Sequence, residues 1–172
     1  MTTVEIYLGF DPGNGDTKVQ SGTGRYSAPS VVTVAGMSAN TITLTSEGKT
    51  ETFCHGYVSR ESSVQTVSSR RGKAEQIQKL YAIALSLLPE ISAGEYAVNL
   101  VCSSPYYGAA DYDLFKRELS KDLILQTSTQ KAKVKTNVMA VEQEGWGIVR
   151  TTSFKTSAGP AIKHMSRGGV KV

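Results

Sequence analysis

The chain has 172 residues, 40% hydrophobic and 20% charged, the composition of one ordinary globular domain with or without a short tail. Wholesale disorder, a coiled coil and a collagen-like chain are excluded, and no run approaches the roughly 18 apolar residues that span a bilayer. The formal charge is +4, but the last 23 residues hold Arg150, Lys155, Lys163, Arg167 and Lys171 and no acid, so residues 1–149 are close to neutral. That argues against a broad basic surface for nucleic acid and leaves a basic tail, 150–172, able to touch phosphate or an acidic partner.

Met1-Thr2-Thr3-Val4-Glu5 lacks the basic start and apolar stretch of a signal peptide, so a soluble, cytoplasmic protein without membrane partners is expected. Cys54 and Cys102 sit far apart in apolar surroundings and read as buried thiols. Two cysteines far apart, with only two histidines in the chain, argue against a structural zinc site. His55 and His164 are expected to be structural or solvated, and Trp146 to be a packing anchor.

In chain order, residues 4–10 form an apolar, β-branched and aromatic run that reads as a buried strand ending in the turn Asp11-Pro12-Gly13-Asn14-Gly15. Thr17-Lys18-Val19-Gln20 resumes an extended pattern, so the turn closes a hairpin. Residues 31–35 form another apolar run, and residues 41–58 read as a β-hairpin around Glu47-Gly48-Lys49. Ile77, Leu80, Tyr81, Ala84 and Leu88 then fall on one face of a helix over about 73–88, stopped by Pro89. A short strand over 97–102 follows, closed by Ser103-Ser104-Pro105. Tyr112, Phe115 and Leu119 mark a second helix, with Asp111 as its cap. Strands are expected at Leu123-Ile124-Leu125 and Val134 to Val141, and a third helix opening at Glu142 and running to Val149. Strands first, then alternating helix and strand, give an α/β fold with a mixed sheet.

Chemistry concentrates in Gly9-Phe10-Asp11-Pro12-Gly13-Asn14-Gly15-Asp16-Thr17-Lys18. A carboxylate ending a buried strand can hold a hydrated magnesium ion, and glycines after it let backbone N–H groups approach an anion. A lysine across the hairpin supplies a point charge to phosphate. The alternative is a hairpin whose Asp, Asn and Gly merely fit positions of positive φ.

D-x-G-N-x-x-x-K after an N-terminal strand resembles the first phosphate loop of the actin, sugar kinase and heat-shock chaperone ATPase superfamily. Val98-Asn99-Leu100-Val101-Cys102-Ser103-Ser104-Pro105 is similar to a strand ending "V-C-x-x-P" in bacterial actin-like proteins of the ParM type, which push plasmids apart with filaments. Phe115-Lys116-Arg117-Glu118-Leu119 falls where that family has a basic helix. Val138-Met139-Ala140-Val141-Glu142-Gln143-Glu144-Gly145-Trp146-Gly147 resembles its connecting segment "V-x-P-E-G-x-G", with Gln143 in place of proline. The resemblance implies an actin-like (ribonuclease H-like) lobe over residues 1–149 with an inserted hairpin near 41–58. It implies that Asp11 faces magnesium, that Gly13, Asn14 and Gly15 line the phosphates of ATP, and that Lys18 contacts them. Glu144 would position the attacking water, with Glu142 as the rival.

Actin-like ATPases clamp nucleotide between two lobes, and no second acidic-glycine loop follows residue 150 here. The expectation is therefore a one-lobe subunit that self-assembles, with weak or no dependence on magnesium ATP. Hydrolysis would require the cleft to be completed by a second subunit or separate lobe. The other implied partners are a full-length actin-like protein and a DNA-binding adaptor for the tail.

Overall fold

The computed structural model describes residues 2–13, 15–34, 41–56, 64–66, 70–104 and 109–143. They form ten strands and two helices. The strands are β1 (Val4–Pro12), β2 (Asp16–Gln20), β3 (Arg25–Pro29), β4 (Val31–Val34), β5 (Thr41–Ser46), β6 (Lys49–His55), β7 (Val64–Thr66), β8 (Ala93–Ser104), β9 (Leu123–Gln126) and β10 (Lys131–Gln143). The helices are α1 (Arg70–Ser86), between β7 and β8, and α2 (Ala109–Leu119), between β8 and β9. All ten strands lie in one sheet, ordered β3-β2-β1-β8-β10-β9-β5-β6-β4-β7. The three central strands β1, β8 and β10 are parallel, and the remaining pairs are antiparallel, so the sheet is mixed as expected.

The parallel strands carry their apolar residues in register. Leu8 and Phe10 of β1, Val98, Leu100 and Cys102 of β8, and Val134 and Val138 of β10 are buried on one face. On that face lies α1, whose Tyr81 ring meets Phe10 at 5.3 Å between centroids, tilted by 49°. The Tyr81 hydroxyl is 3.0 Å from Thr136 Oγ1, which satisfies both buried groups. Burial pushes the Tyr81 phenol far above its ordinary pKa, so it stays neutral.

Ile77, Leu80, Tyr81, Ala84 and Leu88 are all buried, as the periodicity requires, but so are Ala82, Ile83 and Leu85. The helix is enclosed on more than one face because Phe115 and Leu119 of α2 join the same core. Each fully buried large apolar side chain stabilises the fold by roughly 1.5–3 kcal/mol. Both cysteines are buried thiols outside any disulfide, as expected.

The hairpin near 41–58 is present as β5–β6, turning at Glu47 (φ 49°) and Gly48 (φ 76°), the positive pair of a type I′ turn. It is continuous with the main sheet, because β5 pairs with β9 from Thr43 to Ser46. Lys121 bridges it to α2, at 3.0 Å from Glu47 and 2.7 Å from Glu118, and Lys79 of α1 reaches Glu51 at 2.6 Å.

The structure departs from expectation at several elements. Strand β3 is not among the expected strands: it carries no apolar run, and only Ala28 in it is buried, so its sequence gives little signal. Asp111 lies inside α2, two residues past its first position, and is not the cap. The helix expected from Glu142 is not there at its start. Ladder pairing with β8 carries β10 on through Glu142↔Ser103 to Gln143↔Ser104. Residues 144–149, with Trp146, and the tail 150–172, with His164, lie outside the described residues.

Candidate functional site

The carboxyl ends of β1, β8 and β10 come together at one edge of the sheet, where parallel α/β sheets characteristically bind ligands. Asp11, one residue past Phe10↔Cys102, lies beside Ser103, and Ser103 lies beside Glu142. The three are on the face opposite α1. Asp11 is 8% exposed, and Ser103, buried, donates a hydrogen bond to its Oδ1 at 2.5 Å. Lys18 stands opposite Asp11 in the β1–β2 register, half-exposed, with Nζ 3.9 Å from Asp11 Oδ2. That is a loose contact, so the ammonium retains reach for another anion.

The turn between the two is built by its own backbone and by Ser30. Ser30 Oγ donates to the Gly13 carbonyl at 2.7 Å, lies 2.9 Å from Thr17 Oγ1, and its N–H donates to the Gly15 carbonyl at 2.9 Å. Neither Gly13 nor Gly15 has a positive φ, so positive-φ requirements do not explain these glycines. Gly13 is required by close approach: a Cβ there would lie 2.5 Å from the Asp16 carbonyl oxygen. Among the described residues a Cβ at Gly15 would meet nothing within 4 Å, so they place no demand on glycine and leave the space beside its backbone open. Asn14 and Glu144 lie outside the described residues.

Glu142 reaches this edge through an irregularity. Val138 pairs with Leu100 and Ala140 with Val101, so Met139 is an extra residue, a β-bulge. A regular strand would set Glu142 against Ser104, on the α1 face. The bulge sets it against Ser103 instead, on the Asp11 face. Two strand spacings separate Asp11 from Glu142, about 10 Å between backbones.

The donor set fits magnesium as that ion is usually held, by one or two carboxylates and otherwise by water and phosphate oxygens. Asp11 is the carboxylate that would hold it. Among the described residues no group of three or more His, Cys, Asp or Glu could form an all-protein metal cage. The residues missed in sequence are Ser103 and Ser30. Both sit beside glycine or proline punctuation and look like loop residues there.

No protein-family model and no curated protein sequence matches the chain. In three dimensions it is similar to the apo ParM protein of pSK41, with a TM-score of 0.59 at 12% identity, covering 83% of this chain and 50% of that one. It is similar to a Bacillus thuringiensis ParM hybrid protein with ADP, with a TM-score of 0.59 at 14% identity, over 81% of this chain and 21% of the hybrid. The actin-like protein Alp7A superposes with a TM-score of 0.55 at 11% identity, over 82% and 45%. The described residues therefore have the fold of a single actin-like lobe. The chain spans about half the length of the pSK41 and Alp7A proteins it matches.

Proposed function

We propose that this lobe self-associates into filaments of the plasmid-segregation type, with weak or no dependence on nucleotide. The observation that carries the reading is the sheet face away from α1. Parallel strands are ordinarily covered on both faces, yet Tyr7 (39% exposed), Ile124 (43%) and Met139 (43%) stand exposed on that face. Around them runs a polar ladder: Asn99 donates to Glu5 at 2.7 Å, and Asn137 donates to Asn99 at 3.0 Å. Apolar anchors in a hydrogen-bonded polar surround are the anatomy of a protein interface. Head-to-tail contacts of this kind extend into filaments when the rotation does not close. The resemblance to ParM-type loops supports the same reading.

A second reading, an ATPase completed by a second subunit or separate lobe, is favoured by the oriented Asp11 and the open Gly15. In it Asp11 holds magnesium, Gly13, Asn14 and Gly15 approach the phosphates, Lys18 neutralises them, and Glu142 orients water. Alone, the lobe leaves this site wet, where charge stabilisation is weak.

High-speed sedimentation with electron microscopy of the pellet, with and without magnesium ATP, separates the readings. The first expects filaments in both conditions and their loss in Tyr7→Glu and Ile124→Glu. Filaments only with ATP would favour the second. No pellet in either condition overturns self-assembly.

A further inference from the structure

We propose that Ser103 is a positioning residue for Asp11, fixing the carboxylate so that one oxygen is presented to a magnesium-bound phosphate. The inference rests on the nucleotide reading of this edge and goes beyond it, because no motif assigns Ser103 a role.

A carboxylate at the end of a strand can rotate about its terminal torsion, and each rotamer offers different oxygens to the edge. Ser103 removes that freedom. Its hydroxyl donates to Oδ1 at 2.5 Å, the short distance of an O–H···O⁻ bond to a charged acceptor. Ser103 is 1% exposed and belongs to a strand held on both sides, by β1 and by β10, so the donor itself has little freedom. With Oδ1 engaged inside, Oδ2 is the oxygen on the side of Lys18, 3.9 Å from Nζ. That spacing is too long for a tight ion pair and leaves Oδ2 available to a metal-bound water or the ion. A residue that only filled space could be apolar here, as Cys102 and Val101 beside it are.

Binding of Mn²⁺ with ATP to the full chain, followed by electron paramagnetic resonance, tests this, alongside ATP binding in EDTA. Ser103→Ala is expected to weaken metal-dependent binding about tenfold, the effect of one hydrogen bond to a charged group, and to leave metal-free ATP binding unchanged. Ser103→Thr, which keeps the hydroxyl, is expected to restore wild-type binding within about twofold. A merely structural role would move metal-free and metal-dependent binding together. If Ser103→Ala fails to melt cooperatively, Ser103→Cys, a similar shape with a weak donor, carries the comparison. Wild-type metal-dependent binding in both Ser103→Ala and Ser103→Cys would overturn the role of Ser103 alone. Absence of metal-dependent binding in the wild type, with Asp11→Asn indistinguishable from it, would overturn the nucleotide reading and the Ser103 role with it.

Discussion

Gly13 and Gly15 occupy one turn, yet the structure assigns them opposite responses to the same substitution. In Gly13→Ala the new methyl would sit 2.5 Å from the Asp16 carbonyl oxygen, against 3.4 Å or more for an ordinary contact. That oxygen belongs to backbone paired with β3, so the turn itself must open. Overpacking of this size costs about 1–3 kcal/mol. With a urea dependence of roughly 1–3 kcal/mol/M, the unfolding midpoint is expected to fall by about 1 M. Gly15→Ala meets nothing within 4 Å among the described residues and starts from a φ that is not left-handed. Restricting the unfolded chain is then expected to stabilise it by about 0.4–1 kcal/mol, raising the midpoint by a few tenths of a molar. On the phosphate-loop reading, the same methyl would stand where backbone N–H groups approach phosphate, so magnesium ATP binding is expected to fall at least about tenfold, the weight of one or two hydrogen bonds. Urea titration by circular dichroism and a nucleotide-binding titration on both variants decide the matter. Equal destabilisation by the two substitutions would refute the turn geometry. A stabilised Gly15→Ala that binds magnesium ATP like the wild type would refute the phosphate-loop reading.

Deleting Met139 is expected to be mild. Removing a residue from a central strand ordinarily turns every residue beyond it to the other face. Here it removes only the bulge, leaving Val141↔Cys102 and Glu142↔Ser103 in place, so a loss below about 1.5 kcal/mol in chemical denaturation is expected. Loss of the cooperative transition would refute that register. Tyr81→Phe leaves Thr136 without its 3.0 Å partner beneath α1 and is expected to cost about 1–3 kcal/mol, read as a drop in Tm. An unchanged Tm would show that Thr136 finds another partner.

Those elements that bury a long, regular apolar pattern were legible in the sequence. Residues 4–10 and 97–102 announce β1 and β8, and the spacing from Ile77 to Leu88 announces α1. The Glu47-Gly48 turn is legible because two positive φ angles demand few residue types. What escaped lies where tertiary pairing overrules local pattern. Arg25–Pro29 becomes a strand because β2 offers it a ladder, not because its residues favour one. Glu142 looks like the first turn of a helix in isolation, and the neighbouring β8 makes it strand. The bulge leaves a trace: buried alternation at Ala132, Val134, Thr136 and Val138 resumes at Val141, one residue out of phase. Asp11 and Lys18 were legible as a pair, since a hairpin sets them opposite. Ser103 was not, because its role depends on a contact with a residue 92 positions away.

On the proposed reading, the placement of the site has a consequence for assembly. Asp11, Ser103 and Glu142 share the sheet face that also carries Tyr7, Ile124 and Met139, so the phosphate edge and the exposed face are continuous. A ligand held at that edge touches few groups of one lobe, each worth on the order of 1 kcal/mol, and its affinity for a lone subunit is correspondingly weak. If a second subunit docks on the face and adds contacts to the same ligand, binding and assembly favour each other by one coupling free energy, whichever occurs first. Nucleotide then lowers the concentration at which subunits associate by the factor by which association tightens nucleotide. A ligand that contacts one subunit only, with equal affinity before and after assembly, shifts nothing. The dependence of the critical concentration on magnesium ATP therefore measures how far the second subunit completes the site. A critical concentration indifferent to nucleotide would assign Asp11, Gly15 and Lys18 to one lobe alone, with assembly resting on the sheet face.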